Sequence, residues 1–447
     1  MTETFDLVLR GGTLVSHDGI AIGDIGVRDG RIVAIGSIDA ASAGDVVDAT
    51  GLHVLPGVID TQVHFREPGN EHKEDLDAGS RGAVLGGVTA VFEMPNTSPL
   101  TTNAAALEDK LARARGRMWC DHAFYMGGTV ENADELAELE RLPGCCGVKI
   151  FMGSSTGNLL TADDESLRRI LRGSRRRCAV HAEDEERLIA RKHLAEAAGD
   201  PSAHPEWRDV ETAFKATRRL VALARETGHP VHVLHITTAD EMRYLAGQKD
   251  IASVETTPQH LTLAAPDCYA ELGARAQMNP PIRDADHRAG LWWGVQQGVV
   301  DVIGSDHAPH TLEEKAQTYP ASPSGMPGVQ TLLPLLLDHV HAGRLTLSRL
   351  MDLMCAGPVR LFGLIGKGRL AVGYDADFTI VDLQARREIT DAAMANRSGW
   401  TPFAGREVTG WPVFTIIRGR IVMREDELVG AAAGEPLRFL DGLHKGG

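Results

Sequence analysis

Residues 53–65 read HVLPGVIDTQVHF, an apolar run carrying the β-branched Val54, Val58, Ile59 and Val63 and closing on His64 and Phe65. A short run of this kind suits a strand buried on both faces. Seven comparable runs follow, at Val88–Pro95, Cys120–Gly127, Cys146–Met152, Cys178–Glu183, Val231–Thr237, Ile251–Thr257 and Val299–Ser305. Helical patterns such as Ala104–Ala114, Glu165–Arg175, Trp207–Glu226 and Ala239–Ala246 fall between them. Alternation of this kind specifies βα units around a parallel sheet. Eight units in roughly 300 residues suit a (β/α)8 barrel. A doubly wound open sheet alternates in the same way, but no G-x-G-x-x-G follows the first strand to favour it.

Outside this block the texture changes to short strands cut by glycine turns. Phe5–Arg10 precedes Gly11-Gly12, Ile25–Arg28 precedes Asp29-Gly30, and Arg31–Ile35 precedes Gly36. The same texture returns at Asp377–Asp382 and Phe414–Arg418, and Gly419-Arg420-Ile421-Val422 echoes Gly30-Arg31-Ile32-Val33. An isolated hairpin is marginal in water, so the two ends are expected to pair into one small β-sandwich. The reading divides the chain into 1–53 (first part of the sandwich), 54–362 (barrel) and 363–447 (second part of the sandwich and tail).

Composition narrows the class. The 447 residues are 43% hydrophobic and 24% charged, near the average for globular proteins, which excludes collagen-like, disordered and coiled-coil chains. No run of eighteen apolar residues is present, and the first residues, MTETFDLVLRGG, carry acids where a signal peptide carries bases, so the expected setting is cytoplasmic. Forty-six bases against 61 acids give a net charge of −15, which argues against nucleic acid or an anionic membrane as partner. An anionic small molecule is compatible only with a locally basic pocket. The six cysteines lack C-x-x-C spacing and read as reduced core thiols.

His64, Asn96, Lys149, His181, His235 and Asp306 each fall at or just beyond the carboxyl end of a different expected strand. In a barrel those ends converge on one face, the face that carries the chemistry of this fold. Three histidines with an aspartate suit zinc-type divalent ions, on which water ionises near neutral pH. The lysine is the odd member, because an ammonium has no lone pair and joins such a cluster only when deprotonated or chemically converted. A Schiff-base lysine is the non-metal alternative, but it leaves the three histidines without a common purpose.

These residues sit in motifs. Gly57–Gly69 (GVIDTQVHFREPG), Met94-Pro95-Asn96-Thr97, His181-Ala182-Glu183-Asp184, His235-Ile236-Thr237-Thr238, Met278-Asn279-Pro280-Pro281 and Ser305–His310 (SDHAPH) together resemble the dihydroorotases of the amidohydrolase superfamily, along nearly the whole chain. The resemblance implies a TIM-type barrel with a composite β-sandwich. It implies zinc, one or two ions, held by His64, Lys149 as a bridging N-carboxylated lysine, His181, His235 and Asp306. The activity implied is reversible hydrolysis of dihydroorotate to N-carbamoyl-aspartate in pyrimidine biosynthesis. In it Asp306 takes a proton from metal-activated water and delivers it to the leaving nitrogen. Arg66, Asn96 and His310 match the positions that hold the substrate carboxylate, Asn279 a further substrate contact, and Gly325 in Pro323–Gly328 a backbone cradle for the ring. His260 and His307 are expected to support these groups by hydrogen bonds.

One position departs from the pattern. The family's first strand ends in His-x-His, and this chain has Gln62-Val63-His64. An amide oxygen is a weaker zinc donor than imidazole, so a working enzyme with a weakened or vacant first metal position is expected. Two alternatives stand beside it: a non-catalytic dihydroorotase-like scaffold subunit partnering aspartate transcarbamoylase, and a hydantoinase- or allantoinase-like hydrolase, which Val148–Met152 also resembles. Arg66 with His310 separates the last, because an uncharged hydantoin ring offers no carboxylate. Family analogy also implies a homo-oligomer.

Overall fold

The computed structural model describes residues 5–17, 19–39, 43–155 and 159–442. Eight parallel strands form the barrel: Val58–Val63, Val88–Glu93, Asp121–Gly127, Cys145–Phe151, Cys178–His181, Val231–Val233, Ala252–Thr256 and Val302–Ile303. Each pairs with the next in sequence order. The ring closes between its first and last members, where Val63 bridges His307 in parallel and His64 N–H donates to His307 O at 2.7 Å. Helices follow the strands as expected. Ala104–Ala114 is capped by Asn103, whose side chain accepts from Ala106 N–H, and Ala239–Ala246 by Thr238, whose hydroxyl accepts from Glu241 N–H.

The run at 53–65 holds two strands. His53–Pro56 belongs to the other sheet, lying between Thr13-Leu14 and Phe378–Val381, and the barrel strand starts at Val58. Gly57 makes the passage. A Cβ there would stand 2.3 Å from Thr89 Oγ1 and 2.9 Å from Asp377 Cβ, so only a residue without a side chain lets the sheets approach so closely. An apolar run that crosses from one buried sheet into another shows no break in hydrophobicity.

The two chain ends meet in one nine-stranded mixed sheet. It encloses its own core, in which Leu7, Leu9, Ile25, Val27 and Ile32 from the first end pack with Phe378, Ile380 and Ile416 from the second. The barrel lumen is filled beneath its carboxyl-end face by Ile59, Phe92, Tyr125, Cys146 and Leu234, and Phe362, Leu437 and Phe439 pack into the same cluster. A buried charge cluster ties sheet to barrel: Lys367 Nζ lies 2.6 Å from Asp121 Oδ2 and 3.1 Å from Asp375 Oδ2, and Arg418 also pairs with Asp121. Among the described residues no helix is long and apolar enough to cross a membrane.

Candidate active site

Gln62, His64, Arg66, Asn96, Lys149, His181, His235, Asn279, Asp306 and Gly325 line one cavity at the carboxyl end of the barrel, with Phe151, Ser155, Ala308 and Ser324. His310 stands directly behind, its Nε2 3.2 Å from Arg66 Nη2. Every residue singled out in the sequence is therefore in or against this cavity. The backbone is bent to bring them there: Arg66, His235 and Asp306 are three of the seven non-glycine residues with positive φ among the described residues (63°, 35° and 45°). Such conformations cost about 1–3 kcal/mol each and cluster where side chains must be aimed.

The ring nitrogens can be assigned from their neighbours. His64 Nδ1 lies 2.8 Å from Asn96 Oδ1 and its Nε2 3.3 Å from Asp306 Oδ1. A proton on Nδ1 serves the amide oxygen and leaves the Nε2 lone pair toward Asp306. His181 Nε2 sits 2.9 Å from Glu183 Oε2, a charge contact outside hydrogen-bond geometry. Burial opposes ionisation of Glu183, yet the Arg208 guanidinium, with His181 beside it, holds the carboxyl down at about 2. The anionic oxygen draws the His181 proton to Nε2. This leaves the Nδ1 lone pair facing His235 Nε2, 3.0 Å away. Fixing a tautomer through the far nitrogen is how proteins prepare a histidine to ligate.

Burial lowers the pKa of His64, His181 and His235, keeping all three imidazoles neutral with lone pairs available. Lys149 is fully buried and is pushed down to about 7 by burial against the pull of Asp306 and Glu255. Its Nζ has no hydrogen-bond partner among the described residues and lies 4.4 Å from the Phe151 ring centroid. Gln62 donates from Nε2 to Asp306 Oδ1 at 2.9 Å, while its Oε1 is buried without a partner. Among the described residues no three His, Cys, Asp or Glu side chains stand as a ready ligand group. The histidines and Asp306 stand as two pairs, His64 with Asp306 and His181 with His235, and the lysine acts electrostatically on all four.

The donor set fits a divalent ion. Two nitrogens on one tetrahedral zinc stand about 3.4 Å apart, close to the spacing of the His181–His235 pair. Lys149 Nζ and Gln62 Oε1, buried and unpaired, each cost about 1–3 kcal/mol unless something else satisfies them.

Beside these side chains stands a buried guanidinium. Arg66 is 5% exposed and donates from Nε to Pro309 O at 3.1 Å. Burial lowers it to about 10, which leaves it charged. His310 is held neutral, at about 3, by burial and by Arg66. Its Nδ1 meets the Lys73 ammonium at 3.2 Å, which can only donate, so the proton sits on Nε2 and serves Ser324 O at 3.0 Å. Nε2 therefore cannot accept from Arg66, and the Nη2 hydrogens remain for a ligand. Gly325 has φ 135°, and a Cβ there would stand 2.4 Å from Ala308 O. Lys315 Nζ pins this loop through Pro323 O at 2.8 Å and Gly325 O at 3.0 Å. His260 Nε2 lies 3.0 Å from Pro280 O, and His307 Nδ1 accepts from Gly328 N–H at 3.0 Å.

Sequence reasoning passed over Glu183 as a partner for His181, although it stands in the quoted His181–Asp184 motif. It also missed Lys315 and His204, which lie in connections without periodicity. His204, fully buried, carried no signal beyond its residue type.

An eight-stranded barrel with a sheet from both chain ends, and histidines, a lysine and an aspartate at the strand tips, is an architecture in which a divalent ion can be held for hydrolysis. Residues 53–422 match the Amidohydrolase family, and the chain belongs to it; it is an enzyme of the hydrolase class. It is 37% identical to a dihydroorotase of Halobacterium salinarum, over 93% of this chain and 96% of that one. It is 36% identical to an allantoinase of Solibacter usitatus, over 97% of each. The solved L-hydantoinase (dihydropyrimidinase) of Arthrobacter aurescens superposes with a TM-score of 0.92 at 32% identity, covering 97% of this chain and all of that one (100%).

Proposed function

We propose that this chain is a zinc-dependent dihydroorotase, hydrolysing the cyclic amide of dihydroorotate to N-carbamoyl-aspartate. The observation that carries the reading is the Arg66 guanidinium, unspent at Nη2, on the wall of the cavity that holds His64, Lys149, His181, His235 and Asp306. A planar fork beside a hydrolytic centre selects a carboxylate-bearing ring.

His64, His181, His235, Asp306 and an N-carboxylated Lys149 would hold the metal, which when bound supplies Lewis acidity and makes water nucleophilic near neutral pH. The Lys149 amine, uncharged in part at neutral pH, is a competent nucleophile toward carbon dioxide, and loss of its proton leaves an anionic ligand. Arg66 takes the substrate carboxylate, with Asn96 and His310 alongside. Asp306 receives a proton from the attacking water as the C–O bond forms, and returns it to the ring nitrogen as the C–N bond breaks. Gln62 N–H anchors Asp306 Oδ1 through this exchange. Because an amide oxygen is a weaker zinc donor than imidazole, Gln62 leaves the first metal position weak or vacant.

One observation favours a second reading, a hydantoinase-like enzyme. A chamber of about 460 Å3, walled by Leu188, Ile189 and Trp207, shares Ser155, Asn279 and Ser324 with the inner cavity, giving room for a ring substituent that dihydroorotate lacks. The test is an ultraviolet assay with dihydroorotate beside an uncharged substituted hydantoin. Faster turnover of dihydroorotate supports the first reading. Turnover of the hydantoin alone replaces it with the second, and turnover of neither rejects both.

A further inference from the structure

His204 opens the short helical segment His204–Trp207, directly after Pro201–Ala203, far in sequence from the residues it touches. Its Nε2 is 3.1 Å from Met278 O and 3.0 Å from Asn279 Oδ1, and its Nδ1 is 3.1 Å from Tyr319 Oη. A backbone carbonyl only accepts, so Met278 O requires the proton to sit on Nε2. Nδ1 is then the acceptor and Tyr319 O–H its donor. With Nε2 a donor, the Asn279 atom facing it must be the amide oxygen. The orientation of Asn279 thus follows from Met278 O and Tyr319 Oη.

With Oδ1 engaged by His204, Nδ2 is the polar atom of Asn279 left for the cavity that the residue lines. Its two N–H groups can meet only an acceptor. The same histidine joins three segments: its own connection, the Met278-Asn279 loop, and the loop that carries Tyr319, Ser324 and Gly325. Ser324 Oγ also approaches Nε2, at 3.5 Å.

We infer that His204 is a positioning residue which, acting through the Asn279 amide, commits that wall of the site to an acceptor oxygen of the substrate, a ring carbonyl or carboxylate, and rejects a ring N–H there. The inference rests on the proposed function only in taking this cavity to be where the cyclic amide binds. The buried ring is kept neutral, at about 3, first by burial and then by Arg208, so it holds this single tautomer through neutral pH. A protonated ring would drive a second N–H at the Tyr319 hydroxyl.

The test is a double-mutant cycle on the purified zinc-loaded enzyme, run with whichever of dihydroorotate, hydantoin or allantoin the wild type turns over. Substrate choice by the wild type judges the proposed function; the cycle judges His204. His204→Ala is expected to raise KM about 10-fold, the scale of one hydrogen bond, with kcat within about 3-fold. His204→Gln, which keeps a donor at the ε position, should recover most of the loss, and His204→Asn should not. Combined with Asn279→Ala, His204→Ala should add nothing, because it acts through that amide. Tyr319→Phe is the milder variant should His204→Ala fold poorly: it removes the hydrogen bond at Nδ1 that steadies the ring and is expected to raise KM in the same direction. An unchanged KM in Tyr319→Phe and His204→Asn alike, with only thermal stability lost, overturns the inference. So does an effect of His204→Ala that simply multiplies that of Asn279→Ala.

Discussion

Replacing Arg66 by alanine isolates the feature that separates an anionic substrate from a neutral one. In the wild type, Nε is spent on Pro309 O and His310 Nε2 has no lone pair to offer, so the Nη2 hydrogens await a partner. A hydrogen bond to a charged group contributes about 1.5–3 kcal/mol, which is roughly a 10- to 150-fold rise in KM for dihydroorotate when it is lost. The lower half of that range is expected, since water entering the space vacated by the guanidinium solvates part of the carboxylate. Backbone strain does not enter, because arginine and alanine bear the φ of 63° equally. Arg66→Lys should fall between, keeping charge without the planar fork. The assay is initial rate against dihydroorotate concentration by ultraviolet absorbance, with zinc content measured on the same samples. An unchanged KM at unchanged zinc content would falsify the carboxylate clamp. So would an equal loss with an uncharged hydantoin, which has no carboxylate to miss the arginine.

Gln62→His restores an imidazole where the amide now donates to Asp306, and elemental analysis should show more zinc per chain; a fall in zinc would mean that the glutamine is itself part of the ligand set. Chelated protein reloaded with zinc should recover activity with added bicarbonate and much less in carbon dioxide-free buffer, if Lys149 is carboxylated. Lys149→Ala should lower both zinc content and kcat, the latter by at least about 100-fold; full activity in that variant sinks the ligand role. Lys367→Met leaves buried Asp121 with Arg418 alone and takes from Asp375 and Asp377 the ammonium they share with it, and should cost about 3–5 kcal/mol by urea unfolding at pH 7. Burial raises the Asp121 pKa, but Lys367 and Arg418 outweigh it and hold the carboxyl below its usual value. Its contribution is therefore complete above about pH 4 and lost as pH falls through the lowered value. The deficit of Lys367→Met should shrink at pH 3, and a deficit that is constant with pH contradicts the pairing.

The barrel was legible because buried parallel strands carry an uninterrupted apolar signal, and because chemistry at strand tips puts polar residues at the end of each run. Val88–Glu93 and Ala104–Ala114 needed nothing but that periodicity. So did the convergence of His64, Lys149, His181, His235 and Asp306, once the ring was taken to close. The passage at Gly57 was not legible, since two sheets that are both buried share one hydrophobic texture. Nor was the direction of each polar atom. That Gln62 turns its nitrogen to Asp306, that His310 keeps its proton on the side away from Lys73, and that Asn279 is locked by a histidine 75 residues earlier depends on neighbours brought together from different loops. Residue type sets what a side chain can donate or accept; only packing decides which of those bonds is already taken, and so what remains for a substrate.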